Sequence, residues 1–302
     1  MVSKQAEEFH ATLRQFAEAF AGAGELSIEE QRVNGEAFGT FTGEPSGVTW
    51  TETDAGGVPS IWADAEGGSK DAVLQYVHGG GYVIGSANGY RNLTGHLAKA
   101  IGCRVLNVDY RLAPESPHPG PVNDSVTAYR WLLDQGFAPE RIAISGDSAG
   151  GGLTLATLLK IRDEGLPLPA AAVPISPWVD MEGLGDSMKT NAGNDLLVQE
   201  VVLKGMVGHF LGDSDPRDPL AAPLYGDYTG ICPLYIQVGG HETLLDDSSR
   251  VAARAKQAGV EVRVDVFPEM QHVFQMTAGN LPEANDAIER IGAYLRPRLG
   301  LA

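Results

Sequence analysis

Cysteine is nearly absent from this chain of 302 residues: Cys103 and Cys232 stand far apart, with no CxxC pair. That spacing argues against a zinc site or a disulfide scaffold, and both thiols read as small buried apolar residues in a reducing compartment. Bases are in deficit as well, 22 against 39 acids, for a formal net charge of −17. A polyanion would be repelled, so neither nucleic acid nor an acidic membrane surface is an expected partner. Long apolar runs are missing too. No charge-free stretch reaches the roughly 18 residues of a membrane span. The opening "MVSKQAEEFHATLRQFAEAF" is amphipathic and carries acids, unlike a signal peptide. A cytoplasmic protein is expected. Neither GxGxxG nor GxxxxGKS or GxxxxGKT occurs, which excludes the common phosphate-cradling motifs.

What the chain does have is a globular composition and a strand–helix rhythm. Hydrophobic residues make up 43%, and at this length roughly 75% of the unfolded surface can be buried without a metal or disulfide staple. Residues 1–37 read as two helices, with Leu13, Phe16, Ala17 and Phe20 at helical spacing on one face. A hairpin follows: "GVTWTET" and "VPSIWA" alternate apolar with polar across the turn "DAGG". Buried strands are expected at 72–77, 104–108, 141–145, 170–175, 234–238 and 261–267. Helices are expected at 89–101, 121–135, 149–164, 244–258 and 282–297. Such alternation implies an α/β fold, a mostly parallel sheet with helices on both faces. The interval from 175 to 234 is far longer than a crossover needs. Within it, 195–211 reads as an amphipathic helix with Asp195 as its N-cap. No linker splits the chain, so 1–302 is expected to be one domain, with a helical cap built from 1–40 and about 181–215.

Chemistry concentrates in "AISGDSAGGGLTLATLLK", 143–160. Strand, Gly146-Asp147-Ser148-Ala149-Gly150 and helix follow one another as a nucleophile elbow requires, with tiny residues two positions either side of the serine. The following helix aims the positive end of its dipole at Ser148. A serine that attacks a carbonyl creates an oxyanion, and "QYVHGGGYVIG" at 75–85 offers bare backbone for it. Gly80 and Gly81 are expected to donate N–H groups together with Ala149. The base should lie beyond the last strand, after the acid, and of the seven histidines only His272, in "VFPEMQHVF", meets that order. For the acid, "IQVGGHETLLDDS" holds Glu242, Asp246 and Asp247. The two aspartates fall in the first turn of a helix, where the dipole alone favours acids. Glu242 sits just past the strand end and is taken as the partner that orients the imidazole.

"HGGGY" 78–82, "DYRLAPE" 109–115, "GDSAGG" 146–151 and "HVF" 272–274 together resemble the bacterial hormone-sensitive-lipase-like family (family IV) of α/β-hydrolases, over about residues 45–297. The resemblance implies an α/β-hydrolase fold with a helical cap and a triad of Ser148, an acid in the loop 241–246, and His272. Glu242-Thr243-Leu244 stands where the family usually has Asp-Pro-Leu, and "SPHPGPVND" replaces a more usual stretch after "LAPE". It further implies a carboxylesterase for short- to medium-chain acyl esters, without metal or cofactor. Some members act on lactones, and the plant gibberellin receptors are non-catalytic binding proteins on the same fold. Candidate pocket walls are Phe16, Phe20, Tyr82, Trp178, Leu197, Met206, Phe210 and Phe274. The small-molecule partner is thus an ester or a lactone. A homodimer through the last strand, 261–267, is also expected, since a sheet edge must be paired or protected.

Overall fold

The computed structural model describes residues 2–22 and 26–302. Helices α1 (Lys4–Gly22) and α2 (Ile28–Glu36) open the chain, the second started by a reciprocal capping box. There the Ser27 hydroxyl accepts from the Glu30 N–H at 3.2 Å and the Glu30 carboxylate accepts from the Ser27 N–H at 2.9 Å. One eight-stranded sheet follows, in the spatial order β1-β2-β4-β3-β5-β6-β7-β8. The hairpin is β1 (Val48–Asp54) and β2 (Pro59–Ala65), antiparallel to each other, with β2 also antiparallel to β4. The remaining strands run parallel: β3 (Ser69–Val77), β4 (Cys103–Val108), β5 (Ile142–Asp147), β6 (Ala171–Ile175), β7 (Leu234–Gly239) and β8 (Val262–Phe267). Helices α3 (Arg91–Ile101), α4 (Gly120–Asp134), α5 (Ala149–Asp163), α8 (Leu245–Gln257) and α9 (Pro282–Arg298) pack against it. Every expected strand and crossover helix is present. Cys103 and Cys232 are both free and buried.

The strand order explains where a site can form. From β3 the chain moves outward to β4, then returns across β3 to β5. Loops after β3 and β5 therefore leave their carboxyl ends in opposite directions and open a crevice between them. Those are the loops that hold the three glycines and Ser148. Two core layers fix the sheet. One contains Leu106, Tyr129, Leu153 and Ile236, the other Leu74, Leu97, Ile291 and Leu295. Helix α5, central in the first, is buried on almost every side, as expected of a helix apolar all round.

The long insert departs from expectation. It holds a short helix α6 (Ser187–Thr190) and the helix α7 (Glu200–Leu211), which starts five residues later than the spacing suggested. Asp195 is not its N-cap; Gln199, in extended conformation, holds that place. Instead the Asp195 carboxylate accepts the N–H groups of Leu197 and Val198 at 2.9 and 2.8 Å. These are the bonds an N-cap makes, but here they close a turn of their own at 195–198, and the helix starts only beyond it. The other Asp195 oxygen accepts from the N–H and hydroxyl of Thr243, at 2.8 and 3.0 Å, so the residue braces the loop that carries Glu242.

Helices α2 and α7 both meet the glycine loop. The Arg32 guanidinium on α2 donates to the carbonyls of Val83 and Ala113, each at 3.0 Å, and to the Glu115 carboxylate at 2.9 and 2.6 Å. From α7, the Met206 sulfur lies against the Cα of Gly81, and the Phe210 carbonyl accepts from the His118 N–H at 2.8 Å. Strand β8 forms one edge of the sheet, with Val266 exposed on it.

A tight joint lies between β3, β5 and α5. A Cβ on Gly146 would strike the carbonyls of Val77 and Gly150, and one on Gly150 would strike the carbonyls of Val77 and His78. Gly146→Ala is therefore expected to lower the unfolding free energy by about 1–3 kcal/mol through overpacking. Gly193→Ala, where an added methyl meets nothing within 4 Å, should change it by less than about 0.5 kcal/mol. Equilibrium urea unfolding measures both.

Candidate active site

Ser148 occupies the bend between β5 and α5 with φ 54° and ψ −121°, a backbone region that costs a non-glycine residue on the order of 1–3 kcal/mol. The surroundings hold it there. Its N–H donates to the Ile175 carbonyl at 2.8 Å, and its own carbonyl accepts from Gly152 and Trp178 at 3.0 and 2.9 Å. Ser148 is half-buried. Ala149 follows as the first residue of α5, so its N–H has no helical acceptor four residues back.

The glycine loop is built for close approach at each position. A Cβ on Gly79 would meet the Asp147 carboxylate, one on Gly80 the Ile84 carbonyl, and one on Gly81 the Met206 sulfur. Gly80 and Gly81 also have φ of 108° and 61°, which only glycine adopts without strain. The Gly80 carbonyl accepts from Val83 and Ile84 at 3.0 and 2.9 Å and so turns away from the crevice. Asp147 ties this loop to the elbow: its carboxylate accepts from the Gly79 N–H at 3.0 Å and from the hydroxyls of Tyr76 and Tyr90 at 2.7 and 2.9 Å. Burial pushes its pKa above the ordinary aspartate value, against the pull of these donors and of His272. On the other side the Tyr110 hydroxyl donates to the His78 carbonyl at 2.7 Å, and the two rings stack 4.3 Å apart.

Glu242 is fully buried and both of its oxygens have partners. One oxygen accepts from the Gly239 N–H at 2.5 Å and the Ser176 hydroxyl at 2.6 Å. The other meets Nδ1 of His272 at 2.7 Å. Neither rival acid touches that ring. Asp246 accepts from the Ser187 N–H at 2.8 Å, and Asp247 from the N–H groups of Val179 and Asp180 at 2.8 and 3.1 Å. Burial raises the Glu242 carboxyl above its usual range, opposed by the charge and hydrogen bond of His272. For His272, burial works to lower the pKa, but the Glu242 charge and hydrogen bond, helped by Asp195 and Asp147, leave it raised. With Nδ1 committed to the carboxylate, Nε2 is buried and has no hydrogen-bond partner among the described residues, the Ser148 hydroxyl included. Such contacts are commonly long until a substrate closes the site.

The expected wall residues divide. Tyr82, Trp178 and Phe210 form an aromatic cluster beside the glycine loop, Tyr82 stacked on Phe210 at 3.7 Å and tilted to Trp178 at 6.1 Å. All three are buried. Met206 and Leu197 are half-buried, Leu197 on the turn before α7 rather than on the helix. Phe274 is not a wall: it packs fully buried against Phe267 at 4.9 Å in a separate core cluster with Met270 and Leu281. The one residue between it and His272, Val273, is in a left-handed conformation, φ 50°, which turns the chain into that core. The side chains of Phe16 and Phe20 lie outside the described residues. Sequence reasoning missed Asp147, Ser176, Tyr110 and Asp195. Ser176, directly after the end of β6, had a legible signal in that position, whereas the others depend on contacts across the chain.

Residues 74–276 match the family model of the alpha/beta hydrolase fold. An acetyl-hydrolase of Streptomyces hygroscopicus is 47% identical over 227 residues, covering 75% of this chain and 76% of that protein. An esterase of Acinetobacter venetianus is 36% identical over 227 residues, covering 75% of each. The crystal structure of an esterase from the bacterial hormone-sensitive lipase family is similar over 99% of this chain and 100% of that one, with a TM-score of 0.95 and 44% identity. With eight strands in this order and relatives of this kind over most of its length, the chain belongs to the hormone-sensitive-lipase-like family of α/β-hydrolases and is a carboxylic ester hydrolase.

Proposed function

We propose that hydrolysis runs through an acyl-enzyme on Ser148, with His272 as base and Glu242 as the carboxylate that orients it, on esters of short acyl chains. The observation that carries this reading is the 2.7 Å contact from Nδ1 of His272 to Glu242. A ring that donates from Nδ1 keeps the lone pair of Nε2 for a proton. His272 takes the Ser148 proton as the hydroxyl oxygen attacks the ester carbonyl. The carbonyl oxygen gains charge, and the N–H groups of Gly80, Gly81 and Ala149 receive it. The alcohol then departs with the proton from His272, and water repeats the sequence on the acyl group. Each oxyanion donor contributes about 3–4 kcal/mol of transition-state stabilisation. Short acyl groups fit the aromatic cluster of Tyr82, Trp178 and Phe210, which is buried and fills the space beside the glycine loop. The name of the Streptomyces relative, an acetyl-hydrolase, points the same way. Helices α2 and α7, from the two segments expected to form the cap, serve as cap elements through their contacts with that loop.

Ser148→Ala should abolish release of p-nitrophenol from p-nitrophenyl butyrate. Glu242→Gln should lower kcat by on the order of 10⁴-fold, and Asp246→Asn far less. Equal losses in the two acid variants, or turnover by the serine variant, would overturn the triad; no release by the unaltered protein, with none changed by Ser148→Ala, would instead fit a binding protein on this fold.

The raised pKa of His272 sets the pH dependence. The base works only when neutral, so kcat/KM should fall as pH drops through a value above the ordinary histidine pKa of about 6.5. In Glu242→Gln the main influence that raises it is gone, and the acid limb of the residual activity should move to lower pH. An unchanged limb would mean that another group titrates.

A panel of p-nitrophenyl esters of increasing chain length, run beside small lactones, tests substrate class. The highest kcat/KM is expected for acetyl and butyryl esters. A preference for lactones would replace the linear-ester reading.

A further inference from the structure

We propose that Met206 is an oxidation site through which a peroxide switches the enzyme off, its sulfoxide occupying the approach to the oxyanion loop. The proposal rests on the assignment of Gly80 and Gly81 as oxyanion donors. Four other described methionines, Met181, Met188, Met270 and Met276, are buried. Met206 is half-buried on α7. Its flanks are open: a Cβ on Gly205 or Gly208 would meet nothing within 4 Å, and Val201 and Val202 are exposed one turn earlier. Two glycines in one short helix also lower its stability by about 1 kcal/mol each, which eases transient opening. The Met206 sulfur nevertheless lies directly on Gly81, where no side-chain carbon could fit. One thioether thus combines access for an oxidant with contact to the loop that must receive the oxyanion.

The competing nucleophiles are protected. Burial pushes the thiols of Cys103 and Cys232 up to about 12, so neither is a thiolate at neutral pH. The thioether needs no ionisation. Its sulfur gives an electron pair to one peroxide oxygen, an S–O bond forms as the O–O bond breaks, and the other oxygen leaves as water after proton transfer. Sulfur is oxidised by two electrons and the peroxide is reduced. The product is polar and carries a strong acceptor oxygen. Against Gly81 that oxygen competes for the N–H the oxyanion needs and repels the charge that develops there. Methionine sulfoxide reductases reverse the change.

The test treats the intact enzyme with hydrogen peroxide and follows p-nitrophenyl butyrate turnover together with peptide mass spectrometry. Activity should fall on the order of 10²-fold in step with the gain of one oxygen on the peptide that holds Met206. Reductases of both epimer specificities should restore it. Met206→Leu, compared with its own untreated sample, should keep its activity under the same peroxide. Loss without oxygen at 206, full activity with it, resistance of Met206 to peroxide, or equal loss in the leucine variant would each overturn the proposal. Turnover by untreated Ser148→Ala would instead condemn the triad, so the two failures are distinguishable.

Discussion

Everything in the site is measured from the place where β3, β5 and α5 meet. The Val77 carbonyl sits against both Gly146 and Gly150, so the elbow is clamped to the strand that leads into the glycine loop. Packing at this density leaves no room for a methyl group, and small displacements are resisted on all sides. Ser148 keeps its unusual backbone conformation because the neighbours on each side cannot shift. Rigidity here matters for chemistry, since donors aimed before the reaction need not reorganise during it.

Around that joint, buried carboxylates do what apolar contacts cannot: they tie loops from different strand ends to each other. Asp147 joins the elbow to the glycine loop, Glu242 joins the loops after β6, β7 and β8, and Asp195 joins the insert to the Glu242 loop. Asp247 holds the segment after β6, with burial pushing its pKa up to about 7. Removal of a carboxylate from water is costly unless donors replace the solvent. Each of these four accepts at least two directed hydrogen bonds. The acid loops are therefore specified by polar geometry, while the sheet beneath them is specified by shape.

That division decides what could be read from the sequence. Strands, crossover helices and the strand–turn–helix at Ser148 follow from periodicity and chain order and are present in the fold, and His272 lies in the loop after β8 that chain order points to. Glu242 could be separated from Asp246 and Asp247 because a loop position and a helical first turn differ in what an acid does there. The start of α7 was misplaced since Asp195 offers its own backbone a competing partner, which a count of apolar spacing does not register. Phe274 looked like a pocket residue by proximity to His272. The left-handed turn at Val273 sends it into the core instead, and no local pattern announces that turn. Tyr110 and Asp147 act across distances in the chain that a motif does not encode.

The N-terminal helices carry a consequence for biosynthesis. Arg32 finds its acceptors at Val83 and Ala113, and Ser3 donates to Glu283 near the other terminus through its N–H at 2.6 Å and its hydroxyl at 2.8 Å. A chain is made from its amino end, so α1 cannot complete its contact with Glu283 until residue 283 has been made, whereas α2 meets its acceptors at Val83 and Ala113 much sooner. Helix α1 is thus made well before its docking site, and the apolar cluster that Ala6 completes with Phe267, Met270 and Phe274 closes only afterwards.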